Sequence, residues 1–583
     1  MKSNLIKKTK RVLKTKPNLE NYKNTYNKFS FEQAKKEIDF FGGKLNAAYN
    51  AVERHANNWR KNKIALYWIG EDSARLKYTF KELNDKTNQF ANILDSLSII
   101  KGERVFFFLT RVPELYYGFL GALKTGAIAG TMFAAFGHQA IEDRLGNSSA
   151  KVVVTELGLF DRIAKVAPKL PNLKIILVVG DPTKVKKLKL SGKKIVPVSE
   201  MIEKQSKKYK TQMMRPKDPA FMLYTSGTTG KPKGVVHTHS AIIHQHTSAK
   251  YVLDLKDEDV YWCTADPGWV TGVAYEILGS WSNGVSAVIT NRRFDPEEWY
   301  KLIEDYGVTV WYTAPTAIRM LQASGDKLVK KYDLSSLRYL ASVGEPLNPE
   351  PIRWGLKVFG LPFHDNWWQT ETGGILIANY ASMDIKLGSM GKPLPGIKAV
   401  IIDDNGKILG ANKEGNLAIL PGWPSMMSKI WRRPNKYKSY FKHGWYISGD
   451  RAYYDRDGYF WFVGRADDVI KTSGERVGPF EVESALVEHP KVIEAGVIGK
   501  PDPMRGEIIK AFVKLMPGVK GSEGLKKELQ QFIKKHLAGH AYPREIDFVD
   551  VLPKTRSGKI MRRLLKAREL GLPIGDTSTL EEY

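Results

Sequence analysis

Among 583 residues there is a single cysteine, Cys263. One thiol excludes an intramolecular disulfide and every metal site built from several cysteines. Its setting, "VYWCTAD", is apolar on one side, which predicts an inert buried thiol rather than a nucleophile and suits a reducing, cytoplasmic compartment. Long apolar runs are missing too. The longest, "TGAIAGTMFAAFG" at 125–137, falls far short of the ~20 residues of a membrane helix, so no membrane partner is expected. No repeat of about 20–50 residues and no low-complexity tract is present, which excludes repeat architectures.

Acidic residues are in deficit. Against 90 Lys+Arg stand 62 Asp+Glu, for a net charge of +28. The first sixteen residues carry Lys2, Lys7, Lys8, Lys10, Arg11, Lys14 and Lys16 and no acid, and "KVKKLKLSGKK" at 184–194 is a second dense patch. A basic start of this kind reads as a transit peptide, a nucleic-acid arm or a solvated tail. Lysine in place of arginine and little apolar periodicity speak against the first. No aromatic-rich groove motif accompanies the charge, so nucleic acid is not the expected partner. The charge attracts polyanions, nucleotides included, by long-range steering.

What is there is an ordinary globular composition, 43% hydrophobic and 11% aromatic, in a chain long enough for about three or four domains. The middle alternates short apolar strands with helical patterns. "AFMLYT" (220–225) runs into a glycine-rich turn, "VTVWYT" (308–313) precedes the proline-started helix "PTAIRMLQ", and "LRYLASV" (337–343) is another strand. Alternation of this kind predicts an α/β fold with mainly parallel connections. From about 397 the strands crowd together ("KAVIID", "GNLAIL", "GYFWFVGR"), which predicts a β-rich subdomain over about 397–464. The best boundary lies at 465–468. The division is then a basic extension (1–40), a large domain of mixed α/β sheets (41–464) and a small α+β C-terminal domain (469–583). In the last, Gly478-Pro479 opens a helix, and Leu525, Leu529, Phe532, Ile533 and Leu537 share one face of another.

"YTSGTTGKPKG" (224–234) is the strongest local signal. Glycines let backbone approach a ligand, and successive amides in such a turn form an anion nest. Hydroxyls of Thr225, Ser226, Thr228 and Thr229 add donors, and Lys231 and Lys233 add charge, so a di- or triphosphate is the natural ligand. It is not a Walker A loop, because Pro232 stands where that motif needs a hydroxyl; a P-loop kinase or ATPase is disfavoured. His237, His239, His244 and His246 form two HxH pairs across a strand-to-helix transition, where i,i+2 residues on a helix do not share a face, so a metal is not expected there.

"YTSGTTGKPKG" resembles the phosphate loop of the adenylate-forming enzymes: acyl-CoA synthetases, luciferases and peptide-synthetase adenylation domains. "VGEP" (343–346), "WWQTETGG" (367–374), "YISGD" (446–450), "GRADD" (464–468), "SGERVGPFEVE" (473–483) and "PKTRSGKIMRR" (553–563) recur in family order. With "GKLNAAYNAVERH" (43–55), the chain most resembles the acetate–CoA ligases.

The resemblance implies a reaction of acetate with ATP to acetyl-AMP and pyrophosphate, then with CoA to acetyl-CoA and AMP, with Mg²⁺ as metal. The substrate carboxylate attacks the α-phosphate, so catalysis rests on positioning and charge neutralisation, in keeping with the lack of a convincing Cys–His or Ser–His pair. Thr225, Ser226, Gly227, Thr228, Thr229, Gly230 and Lys231 would cradle the phosphates. Gly344, Glu345 and Pro346, with Asp365, Asn366 and Trp367, would form the adenine slot, continued by Trp368 and Gln369. Asp450 would accept the ribose hydroxyls, assisted by Arg465. Thr370 would bond the α-phosphate, Glu371 would hold Mg²⁺, and Arg476 would reach the phosphates. Lys559 would lie between carboxylate and α-phosphate, and its acylation by a lysine acetyltransferase, reversed by a deacetylase, would remove that charge.

By the same resemblance Asp467 is the hinge about which the C-terminal domain rotates between half-reactions, bringing Ser473 and Gly474 to the CoA face. Val270, Thr271, Val343 and Trp368 would form the acyl pocket. An indole at 368 leaves room for a methyl or ethyl group, and overpacking of roughly 1–3 kcal/mol would reject longer chains; relatives for longer acids carry glycine there. Asn366 stands where many acetyl-CoA synthetases have threonine, and Glu475 where the longer ones have histidine. A propionate or medium-chain ligase and a basic nucleic-acid-binding protein are the alternatives, and both monomer and homodimer remain open.

Overall fold

The computed structural model describes all residues except 1–4, 10–11, 228–229, 473–474, 538–540, 556–558, 575–576, 578–579 and 581–583, and gives the backbone alone for 226, 227, 230, 231 and 476. Two large sheets dominate. In one, strands Phe363–Trp367, Tyr339–Ser342, Val310–Thr313, Val260–Cys263, Ser286–Thr290 and Ile64–Ile69 run parallel in that order. In the other, Pro219–Gly227, Ile128–Met132, Arg104–Phe108, Val152–Glu156, Ile175–Val179 and Lys194–Pro197 do the same. Their sequences are apolar along both faces because both faces are covered; residues 128–132 and 286–290 are buried throughout.

Helices with legible ends fill the space between the sheets. Thr79 and Glu82 form a reciprocal capping box that starts the helix Phe80–Ser96, as the T-x-x-E spacing dictates. Pro113 opens the next helix, Pro113–Thr125, and Gly126 closes it at φ 77°, a left-handed turn that glycine adopts without steric cost. These helices and the inner faces of both sheets share one core.

Five antiparallel strands follow over Ala399–Ile402, Gly415–Ile419, Phe441–Lys442, Trp445–Tyr454 and Phe460–Arg465. Past Arg465 the chain enters a last sheet, opened by the hairpin Ile470–Thr472 with Glu475–Val477 and backed by helices Pro479–Val487 and Glu523–His536. The fold is thus mixed α/β with a small α+β C-terminal domain. One detail differs from the helical stripe expected there. Leu525, Leu529 and Ile533 are buried, but Leu537 lies beyond the helix end at φ −111°, ψ −105° and is exposed. Leaving helical geometry takes it off the stripe.

The basic start of the chain is no free tail in the described residues. Leu5–Ile6 pairs with Ile385–Lys386, Lys14 Nζ donates to the Leu337 carbonyl at 2.6 Å, and Leu19 is buried. Tyr22 and Tyr26 stack on each other and donate to the carbonyls of Pro393 and Ile397. Lys8 Nζ meets His364 Nε2, and burial lowers its pKa to about 7. The solvated-tail reading fails because apolar anchors are spaced between the lysines. No helix among the described residues is long and apolar enough to cross a membrane.

Candidate active site

A cleft of about 670 Å³ opens where the nine-stranded sheet, the antiparallel subdomain and the C-terminal domain meet. It is lined by Thr225, Val270, Thr271, Val343, Gly344, Glu345, Pro346, Asp365, Asn366, Trp367, Trp368, Gln369, Thr370, Glu371, Asp450, Arg465 and Lys559. Most of the expected site is therefore brought together from segments hundreds of residues apart. Thr228, Thr229, Ser473 and Gly474 lie outside the described residues, as do Ser557 and Gly558 beside Lys559. Asp467 does not line the cleft; it is half exposed, with its carboxylate 3.8 Å from Arg465.

The segment expected to bind phosphate includes the ends of two antiparallel strands. Strand Pro219–Gly227 returns antiparallel as Gly230–Thr238, with Gly227 opposite Gly230. The Thr225 hydroxyl is buried without a partner among the described residues, a donor free for a ligand. Lys233, two residues beyond Lys231, makes the contact that can be seen: its Nζ lies 2.7 Å from Glu371 Oε1. The Tyr440 hydroxyl also donates to Glu371, at 2.9 Å. Burial pushes the Glu371 carboxyl up, but the charge and hydrogen bond of Lys233 outweigh it and hold the pKa below its ordinary value. Tyr440 carried no signal in the sequence, because its distance from Glu371 along the chain is 69 residues.

Asp450 is held from three sides. Arg465 donates to Oδ1 at 2.8 Å, while Trp367 Nε1 and Gln369 Nε2 donate to Oδ2 at 2.9 and 3.0 Å. Gln369 accepts in turn from the Tyr446 hydroxyl at 2.7 Å. Trp367 thus does more than offer an apolar wall: its indole fixes the carboxylate. Trp368 follows the end of its strand and presents its ring edge-on to Tyr275 at 5.1 Å.

Two residues expected in the adenine slot spend their polar groups on protein partners. Asn366 donates to the Ser342 carbonyl and accepts from Tyr312. Glu345 accepts from Thr316 at 2.7 Å and Arg319 at 3.0 Å. What Glu345 and Asn366 leave to a nucleotide is mainly backbone and shape. Asp365 beside them is pushed up to about 8 by burial, against two backbone donors.

Lys559 reaches the cleft from the C-terminal domain, its N–H donating to Thr555 Oγ1 at 3.1 Å. The neighbouring Arg562 forks onto Glu483, 2.9 Å to Oε1 and 2.5 Å to Oε2, a bidentate pair that orients the segment. Desolvation, and then the Arg465 charge, lower the Lys559 pKa. Each of the four histidines has a ring nitrogen bonded within the protein. His237 contacts the carbonyls of Thr370 and Ser425 at 2.8 and 2.9 Å, supporting Thr370 from behind, and His244 and His246 bond Ile375 and Glu37. His239 accepts from the Ala47 N–H. Cys263 is buried, its thiol pushed up to about 12 by burial.

The model of the AMP-binding enzyme family matches residues 52–431, and that of the AMP-binding enzyme C-terminal domain matches 481–559. The acetyl-coenzyme A synthetase of Bacillus subtilis (strain 168) is 57% identical over 97% of this chain and 98% of its own length. That of Methanothrix thermoacetophila is 43% identical over 93% of this chain and 85% of its own. Among solved structures, an acyl-CoA synthetase of Brucella canis superposes with a TM-score of 0.74 at 36% identity, covering 95% of this chain and 99% of that one. An anthranilate CoA ligase in complex with anthranoyl-AMP gives 0.84 at 29% identity over 93% and 99%. With a composed cleft, both family models in order and relatives matched over 85% and 98% of their own length, the chain belongs to the AMP-binding enzyme family of adenylate-forming enzymes.

Proposed function

We infer that the protein is an AMP-forming acetate–CoA ligase. The observation that carries this is the 57% identity to an acetyl-coenzyme A synthetase over 97% of the chain, joined to a cleft in which the residues expected for nucleotide, acid and lysine lie together.

In this reading adenine enters between the Gly344–Pro346 backbone and Trp367, and Asp450 accepts the ribose hydroxyls. That carboxylate is already oriented by Arg465, Trp367 and Gln369, so binding meets little reorganisation. The segment 225–231 and Thr370 hold the phosphates, and Arg476 is assigned to them as well. Lys559 cancels the repulsion between the acetate carboxylate and the α-phosphate and aligns the attack. No enzyme nucleophile is needed. Acetate occupies the pocket of Val270, Thr271, Val343 and Trp368.

Glu371 fits Mg²⁺. It is a hard oxygen donor, deep in the cleft and kept ionised by Lys233, and Mg²⁺ is commonly held by one or two carboxylates together with substrate phosphates. When bound, the ion would neutralise phosphate charge.

The C-terminal domain then turns about Asp467, within 465–468, and presents Ser473 and Gly474 to CoA. Lysine acetylation at Lys559 would stop the first half-reaction. A cytoplasmic location is part of the proposal, supported by the lone buried thiol. The test is ATP–pyrophosphate exchange over acids of about two to eight carbons, with acetate expected to lead. No exchange with any short acid would refute the reading.

A further inference from the structure

Arg111 lies outside the cleft, and no role above uses it. It follows the strand Arg104–Phe108 of the eight-stranded sheet and precedes the helix Pro113–Thr125. Its guanidinium crosses to the nine-stranded sheet, where NH2 donates to the Cys263 carbonyl at 3.0 Å and to Glu276 Oε1. Cys263 ends the strand Val260–Cys263, and Glu276 belongs to the π-helical stretch Gly272–Leu278. Between them runs the loop 264–271, which carries Trp269, Val270 and Thr271 into the cleft. One nitrogen ties both flanks of that loop.

The brace is itself braced. Glu276 is 1% exposed, and its second oxygen accepts from the Tyr116 hydroxyl at 3.0 Å. The Arg111 N–H donates to Asn291 Oδ1 at 3.2 Å, and its carbonyl accepts from Trp68 Nε1 at 2.7 Å. Inside the loop, Asp266 accepts from the Gly268 N–H at 2.6 Å. The loop has no slack against its neighbours: a Cβ at Gly268 would stand 2.6 Å from Phe133 N, and one at Gly272 would stand 2.5 Å from Pro267 Cα. Thr131 Oγ1 donates to the Pro267 carbonyl. A buried ion pair contributes little net stability relative to well-packed apolar groups; this one joins the two elements that flank the loop. π-Helical turns in turn concentrate at functional sites.

We propose that Arg111 is a positioning residue for the acid substrate. By bonding Cys263 and Glu276 together it sets the distance of Val270 and Thr271 from Trp368, and with it which carboxylic acids fit. This rests on the assignment of the acyl pocket to those residues. The nucleotide side is fixed separately, by the contacts among Asp450, Trp367, Gln369 and Arg465. Loss of the brace therefore acts on the acid and spares ATP.

The experiment compares wild type, Arg111→Met, Arg111→Lys and Glu276→Gln in ATP–pyrophosphate exchange with acetate, propionate and butyrate. Arg111→Met is expected to raise the acetate KM about tenfold to a hundredfold, as misplacement on the ångström scale does, with ATP KM changed less than about twofold. The acetate-to-propionate ratio should shift. Arg111→Lys should recover only part, because an ammonium lacks the planar fork. Should Arg111→Met not fold, Glu276→Gln keeps the shape of the carboxyl and carries the same test. Equal losses for acetate and ATP with unchanged chain-length ratios, or an unchanged acetate KM, would overturn the positioning role alone. A wild-type protein inactive with every short acid would remove the ligase reading and this one together.

Discussion

Arg319 NH2, in the large domain, lies 3.3 Å from Glu494 Oε1 in the C-terminal domain. The same nitrogen bonds Glu345 of the proposed adenine slot, Glu494 also pairs with Lys554 at 2.7 Å, and Asn348 donates to Ser484 at 2.7 Å. The slot is thus tied directly to the docked position of the C-terminal domain. Glu494→Gln should weaken docking and lower acetate-dependent exchange by about tenfold or more. Thioester formation from supplied acetyl-AMP should change far less. Rapid-quench measurement of each half-reaction checks this, and equal losses would speak against a latch.

Lys559→Gln should abolish exchange while leaving the reaction of acetyl-AMP with CoA, since in the proposed mechanism only the first step brings two anions together beside that ammonium. Exchange retained within about tenfold of wild type would remove Lys559 from its role.

Trp368→Gly should move preference from acetate toward longer acids. The indole meets Tyr275 edge-on at 5.1 Å, so its removal opens the end of the pocket. Acetate remaining best, with no gain for four- to six-carbon acids at any concentration tested, would make Trp368 a packing residue only.

Metal removal with EDTA should stop exchange, and Glu371→Gln should raise the Mg²⁺ concentration for half-maximal rate. In wild type the carboxylate is kept ionised by Lys233 despite burial, and the amide cannot replace that charge. An unchanged Mg²⁺ titration would contradict the assignment.

The first forty residues should show their own acid sensitivity. Glu37 is lowered from 4.5 to about 2, chiefly by its hydrogen bond from His246, with Lys250 adding charge. A depressed carboxyl stabilises the fold above its unfolded pKa and loses that contribution as pH falls through the folded one. The Tm difference between wild type and Glu37→Gln should therefore be full above about pH 4.5 and vanish toward pH 2. Because Glu37 is partly exposed, the difference should also shrink with salt.

Much of the site could be read along the chain because its pieces are local. A strand, a glycine-rich segment and a hydroxyl at Thr225 are encoded within a dozen residues, and Pro479 and Gly126 mark helix ends by backbone chemistry alone. The parallel sheets followed from strand–helix alternation, and Cys263 from its apolar flank. Partnerships between distant elements were not legible. Which lysine meets Glu371, that Glu345 turns to Arg319, and that Lys8 packs on His364 depend on how whole sheets stack. The sequence determined which chemical groups exist and which local backbones present them. Tertiary structure alone decided which charges are desolvated together, as with Arg111 and Glu276, because burial and pairing arise only when segments far apart in the chain close on one core.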